Sequence, residues 1–111
     1  MQEDPDFVQF RTMSYGYRAI FKIIRTYRAK YKVYSVSDII RRWAPPIENN
    51  TTQYLVNVCK QMGVSADFVP NVDRKETMCS LVAAISFCEN GKRAVMSEVE
   101  EGWDLLMEAA K

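Results

Sequence analysis

Apolar side chains in this chain recur every three or four residues and almost nowhere every second one, a pattern that excludes a half-buried sheet and demands helices. The longest run is Tyr17, Ile20, Phe21, Ile24, Tyr27 and Tyr31. These six fall on one stripe of an α-helix, predicting a helix over about 14–31 with Ser14 as its cap. Arg18, Lys22, Arg25 and Arg28 lie away from much of that stripe.

Four further segments pass the same test. Ser35 with Asp38 makes a capping-box-like start for a short helix carrying Val36, Ile39, Ile40 and Trp43, which Pro45 and Pro46 stop. Asn50 and Gln53 open a third helix with Leu55, Val58, Cys59 and Met62 inward, closed by Gly63. The stretch 64–72 holds Pro70 and no period, so it reads as a loop anchored by Phe68 and Val69. Asp73 with Glu76 opens a helix bearing Met78, Leu81, Val82, Ile85 and Cys88, which Gly91 closes; Ser97 with Glu100 opens a last one bearing Val99, Trp103, Leu106 and Met107. Five amphipathic helices with no strand to cover them define an all-α fold. At 111 residues the chain is one compact five-helix domain, 1–111, with 1–12 as a lead-in in which Phe7 and Phe10 tuck back, and 13–111 as the helical body.

Composition narrows the chemistry. There is no histidine, which removes a His-dependent triad or a His-containing zinc site. Cys59, Cys79 and Cys88 are odd in number and form no C-x-x-C pair. Cys79 and Cys88 on one helix would stand roughly 13 Å apart, beyond disulfide reach. They read as small apolar fillers in a reducing compartment, and no metal or cofactor is implied. No apolar run approaches the roughly 20 residues of a membrane span. Gln2–Asp6 is acidic rather than basic and apolar, so the expectation is a chain without a signal peptide, cytoplasmic as synthesised.

Charge is unevenly placed. The formal net charge is +1, yet residues 11–42 carry nine bases against one acid and residues 98–111 carry five acids against one base. Lys22, Arg25 and Arg28, interleaved with Tyr15, Tyr17, Tyr27, Tyr31 and Tyr34, suit phosphate neutralisation and base stacking. The near-neutral total and the position of tyrosines on the apolar stripe argue instead for a solvated face.

The most unusual stretch is Trp43-Ala44-Pro45-Pro46-Ile47-Glu48-Asn49-Asn50-Thr51, followed by Tyr54. Its prolines stiffen a loop, and its indole, acid and carboxamides suit a sugar, whose face stacks while its hydroxyls seek donors and acceptors. The same residues also read as core, helix stop and cap. Glycoside cleavage uses a pair of carboxyl groups or one assisted acid. Glu48 and Glu89 are the candidates, each beside amides at a helix boundary.

Phe7-x-x-Phe10, Met13-Ser14-Tyr15-Gly16-Tyr17-Arg18-Ala19, Ile39-Ile40-x-x-Trp43-Ala44-Pro45-Pro46-x-Glu48-Asn49-Asn50-Thr51-x-x-Tyr54 and Glu89-Asn90-Gly91, taken together, resemble a family of phage and prophage structural proteins. Its members are virion-associated and common in Bacteroides-type genomes, with relatives thought to degrade peptidoglycan on a lysozyme-like helical scaffold. The resemblance implies a murein-related role. Glu48 or Glu89 would be the general acid of a hydrolase or lytic transglycosylase, and Trp43, Asn49, Asn50 and Tyr54 would position a peptidoglycan glycan strand. Fuller members begin with a segment of the type Arg-Gly-x-Arg-Asn-Asn-Asn-Pro, and this chain starts after it, so a truncated or inactive form is the expectation. The alternative is a non-catalytic structural or binding module that contacts other virion proteins, or an acidic partner or nucleic acid through its basic first helix.

Overall fold

In a computed structural model, the backbone is described for residues 5–47 and 49–109 and side chains for 13–47 and 49–109. The side chains of Phe7 and Phe10, and the whole of Glu48, lie outside the described residues. Five α-helices follow in order: α1 Pro5–Tyr31, α2 Val36–Trp43, α3 Thr51–Met62, α4 Lys75–Asn90 and α5 Met96–Ala109. No strand occurs among the described residues.

The ends of the helices show which local signals act. Ser35 accepts from the Asp38 amide and Asn50 from the Gln53 amide, both at 3.1 Å, as their spacing predicts. Gly63 and Gly91 end α3 and α4 at φ 71° and 70°, a region open to glycine at little cost.

Three expected caps are placed differently. Helix α1 begins at Pro5, whose fixed φ suits a first helical position. Ser14 therefore lies inside it, buried, and its hydroxyl donates to Glu101 Oε1 on α5. Helix α4 starts after Arg74 with no side-chain cap, because the Asp73 carboxylate is held 2.8 Å from the Arg25 guanidinium. Helix α5 starts at Met96, so Ser97 falls within its first turn, while the Val95 carbonyl accepts from the Glu98 and Val99 amides. The loop 64–72 also docks by another route. Phe68 and Val69 are exposed, Pro70 is fully buried, and the Phe68 and Ala66 carbonyls accept from the Val36 and Ser37 amides at 2.9 Å. Main-chain bonds, rather than two apolar anchors, thus fix the loop and satisfy the free donors of α2.

Helix α4 is central, burying Met78, Leu81, Val82 and Ile85 together with Cys79, Ala84 and Ser86. Helices α1 and α5 pack side by side and run parallel: Gly102 lies against Ser14–Arg18, the Trp103 ring meets Phe21 edge-on with centroids 5.3 Å apart, and Leu106 borders Lys22, Thr26 and Ala29. Such closeness needs Gly102. A Cβ there would lie 2.8 Å from the Ser14 carbonyl oxygen and 2.9 Å from both Arg18 N and Tyr17 Cβ. Burial of Phe21, Ile24, Ile39, Met78 and Leu81 contributes about 1.5–3 kcal/mol each against chain entropy.

Candidate functional site

The proline corner brings three candidate residues from three helices into one hydrogen-bonded series. Trp43 ends α2, Tyr54 lies near the start of α3 and Glu89 lies in the last turn of α4. The Trp43 indole N–H donates to the Tyr54 oxygen at 3.0 Å, and the Tyr54 hydroxyl donates to Glu89 Oε2 at 2.7 Å. The direction is fixed because an indole can only donate, leaving the phenol proton for the carboxylate. The Ile85 carbonyl, 3.4 Å away, is a weaker second acceptor. Burial pushes Tyr54 ionisation far above its ordinary value, and the neighbouring Glu89 carboxylate adds to the shift. Tyr54 is therefore a permanent donor to Glu89. Glu89 itself is exposed, and among the described residues nothing bonds its Oε1.

Asn49 and Asn50 point elsewhere. Asn49 Nδ2 donates to the Pro45 carbonyl at 3.2 Å, Asn50 Oδ1 caps α3, and Thr51 Oγ1 donates to the Ala44 carbonyl at 2.5 Å. The two carboxamides border an open groove of about 290 Å³ together with Arg41, Pro46 and Thr52, which Trp43, Tyr54 and Glu89 do not line. The candidates thus divide between a three-residue relay and a separate polar groove. Glu48, in the same loop, lies outside the described residues.

Lys22, Arg25 and Arg28 converge on a cleft of about 450 Å³ bounded by Val72, Asp73 and Leu106. Two of the three are engaged within the protein. Arg25 Nη1 donates to the Val72 carbonyl at 2.7 Å and to Asp73 at 2.8 Å, while Arg28 donates to the Val33 and Tyr34 carbonyls at 2.8 Å. These bonds tie the end of α1 to the loops beside it. A cation that the spacing did not single out stands out here: the Arg42 guanidinium lies 3.9 Å from the Tyr31 ring centre and 5.3 Å from that of Tyr27. Its signal was the basic last turn of α2 opposite two tyrosines one helical turn apart.

The three cysteines are free thiols. Burial raises the ionisation of all three, that of Cys79 to about 11, so they remain protonated near neutrality and are poor nucleophiles. Among the described residues no group of three or more metal-ligating side chains comes together, and no helix is long and apolar enough to cross a membrane.

No family model matches the chain. It is 35% identical over 102 residues to Protein P5 of Pseudoalteromonas phage PM2. The match covers 91% of this chain and 62% of that protein, so the chain spans less than two thirds of the relative's length. The phage connection drawn from the motifs is supported by this similarity.

Proposed function

We propose that the chain is a virion-associated structural module of phage or prophage origin, with the proline corner acting as a clamp between helices. Similarity to a phage protein along 91% of the chain supports the setting. The observation that carries the structural role is the use of the corner's groups within the fold: the Trp43 N–H and Tyr54 hydroxyl bond along the relay, and Asn49, Asn50 and Thr51 each give one side-chain atom to adjacent main chain. An indole N–H and a phenol proton already paired inside a protein have little left to offer a sugar hydroxyl. The test is to purify particles on a density gradient from a host carrying this gene and to probe fractions with an antibody to the chain. Co-sedimentation that survives a high-salt wash is expected; a chain confined to the particle-free fractions refutes the proposal.

A second reading, hydrolysis or transglycosylation of peptidoglycan, is favoured by one observation: Glu89 is exposed beside Trp43 with Oε1 open to a ligand. Its difficulty is one of placement: Glu89 already accepts from Tyr54, and it does not line the groove bordered by Asn49 and Asn50, so the acid and the carboxamides are not brought to one site. Clearing of purified murein that is lost in Glu89→Gln or Glu48→Gln variants of unchanged fold would establish this reading. Absence of clearing by the chain, even with an upstream Asn-rich segment supplied, would dismiss it.

A further inference from the structure

Among the described residues, Lys30, Lys32 and Arg42 around the end of α1 have no carboxylate partner within ion-pair distance. Among the described residues, ion pairs engage Arg25 with Asp73, Arg74 with Glu76 and Lys75 with Asp104; none reaches Lys30, Lys32 or Arg42. Aromatic rings take the place of acids. Arg42 stacks on Tyr31 and Tyr27, Lys30 Nζ lies 5.6 Å from the Tyr31 ring centre, and the Arg28 guanidinium lies 4.9 Å from that of Tyr34. Tyr31 and Tyr34 are each 47% exposed, so a place on the apolar stripe does not withdraw Tyr31 from solvent, and Tyr34 lies beyond that stripe. Lys32, the residue directly after α1, adopts φ 55°, a left-handed conformation that ends the helix. Two acids of α5 are turned to other partners, Asp104 to Lys75 and Glu101 to Ser14. Among the described residues no ion pair compensates Lys30, Lys32 or Arg42, although the chain as a whole is near neutral.

We propose that the end of α1, the turn after it and the last turn of α2 form a nucleic-acid-binding surface in which Lys30, Lys32 and Arg42 contact phosphates and Tyr31 and Tyr34 offer ring faces to bases. Arg42 makes this surface specific. Ring stacking holds its guanidinium in place, while none of its N–H donors bonds to a described residue, an arrangement that holds a fork of donors ready for phosphate oxygens. An acidic protein segment would match the charge alone; a nucleic-acid strand matches the charge and the exposed rings together.

Fluorescence anisotropy of a labelled 20-nucleotide single strand and of its duplex, titrated with the full chain at 50 and 200 mM salt, tests this. Three phosphate contacts give a log–log salt slope of about −2 for a single strand, hence an affinity loss of about 20-fold between the two salts. In the Lys30→Ala, Lys32→Ala double variant one contact remains and the loss shrinks to about threefold. Neither ammonium hydrogen-bonds to a described residue, so the fold should persist, as an unchanged melting midpoint would verify. Tyr34→Ala should weaken the single strand by about fivefold or more if bases stack there. Equal sensitivity of strand and duplex to the lysine variant, with no effect of Tyr34→Ala, would assign the surface to phosphates alone and still support nucleic-acid binding. Three results overturn it: no salt-dependent binding at 50 mM salt, binding unaffected by the lysine variant, or polyglutamate bound as tightly as DNA, which would point to an acidic protein instead.

Discussion

Replacing Gly102 with alanine sets helix propensity directly against packing. Propensity alone predicts a gain, since glycine inside a helix is about 0.8–1 kcal/mol worse than alanine. Packing predicts the reverse. The new methyl would sit 2.8–2.9 Å from a carbonyl oxygen, an amide nitrogen and a Cβ of α1, none of which is the end of a flexible side chain. Helices α1 and α5 would have to separate, loosening the Phe21–Trp103 contact and the Ser14–Glu101 bond. Overpacking of this kind costs about 1–3 kcal/mol, and atoms so unyielding place it at the upper end. After subtraction of the propensity gain, a net loss of about 2 kcal/mol remains, or a fall in melting midpoint on the order of 8 °C for a domain of this size. Circular dichroism during thermal or urea unfolding measures it. Gly16→Ala is the matched control: Gly16 is exposed within α1, with no described atom within 4 Å of its added Cβ, so the same substitution should stabilise by about 0.5–1 kcal/mol. A Gly102→Ala protein at least as stable as the parent would refute the close parallel packing of α1 and α5.

Tyr54→Phe removes the link between the Trp43 indole and Glu89, and chemical denaturation should show a loss of about 1 kcal/mol, because the half-buried N–H loses its acceptor; an unchanged midpoint would mean the relay clamps nothing. A double-mutant cycle on Arg25 and Asp73 should give a coupling below about 1 kcal/mol, since Asp73 is largely exposed to solvent, and a larger value would contradict that exposure. Cys79 ionises near 9.0 when unfolded and at about 11 in the fold. The folded state thus holds its proton more tightly, and the contribution of this thiol to stability is constant below pH 9 and falls between pH 9 and 11. Cys79→Ala should flatten part of that fall in a series of melting curves, and an identical pH profile would show that the thiol is not shielded.

Helices α2 to α5 were legible because their signals are local. An apolar period, a Ser or Asn three residues before an amide, and a glycine able to take positive φ all act within a turn or two of chain. Ser35, Asn50, Gly63 and Gly91 did what their spacing implied. Two of the three misplaced caps share a cause: Ser14 and Asp73 have the right chemistry for capping, but distant partners, Glu101 and Arg25, claim them. The candidate site was half legible for the same reason. Trp43, Tyr54 and Glu89 were each noticed, but their union joins α2 and α3 to a carboxylate 35 positions beyond Tyr54, while Asn49 and Asn50 found nearer partners in their own loop.

What the amino-acid order settled unaided is the helical class, the sites of four helices and the uneven charge, because periodicity and capping depend on neighbours along the chain. Tertiary structure alone decided that α1 and α5 lie parallel across Gly102, that the basic groups at the end of α1 rest on tyrosines instead of acids, and that an indole, a phenol and a carboxylate meet. Those outcomes depend on which surfaces approach closely enough to exclude water, a property of the packed chain that no short window of residues contains.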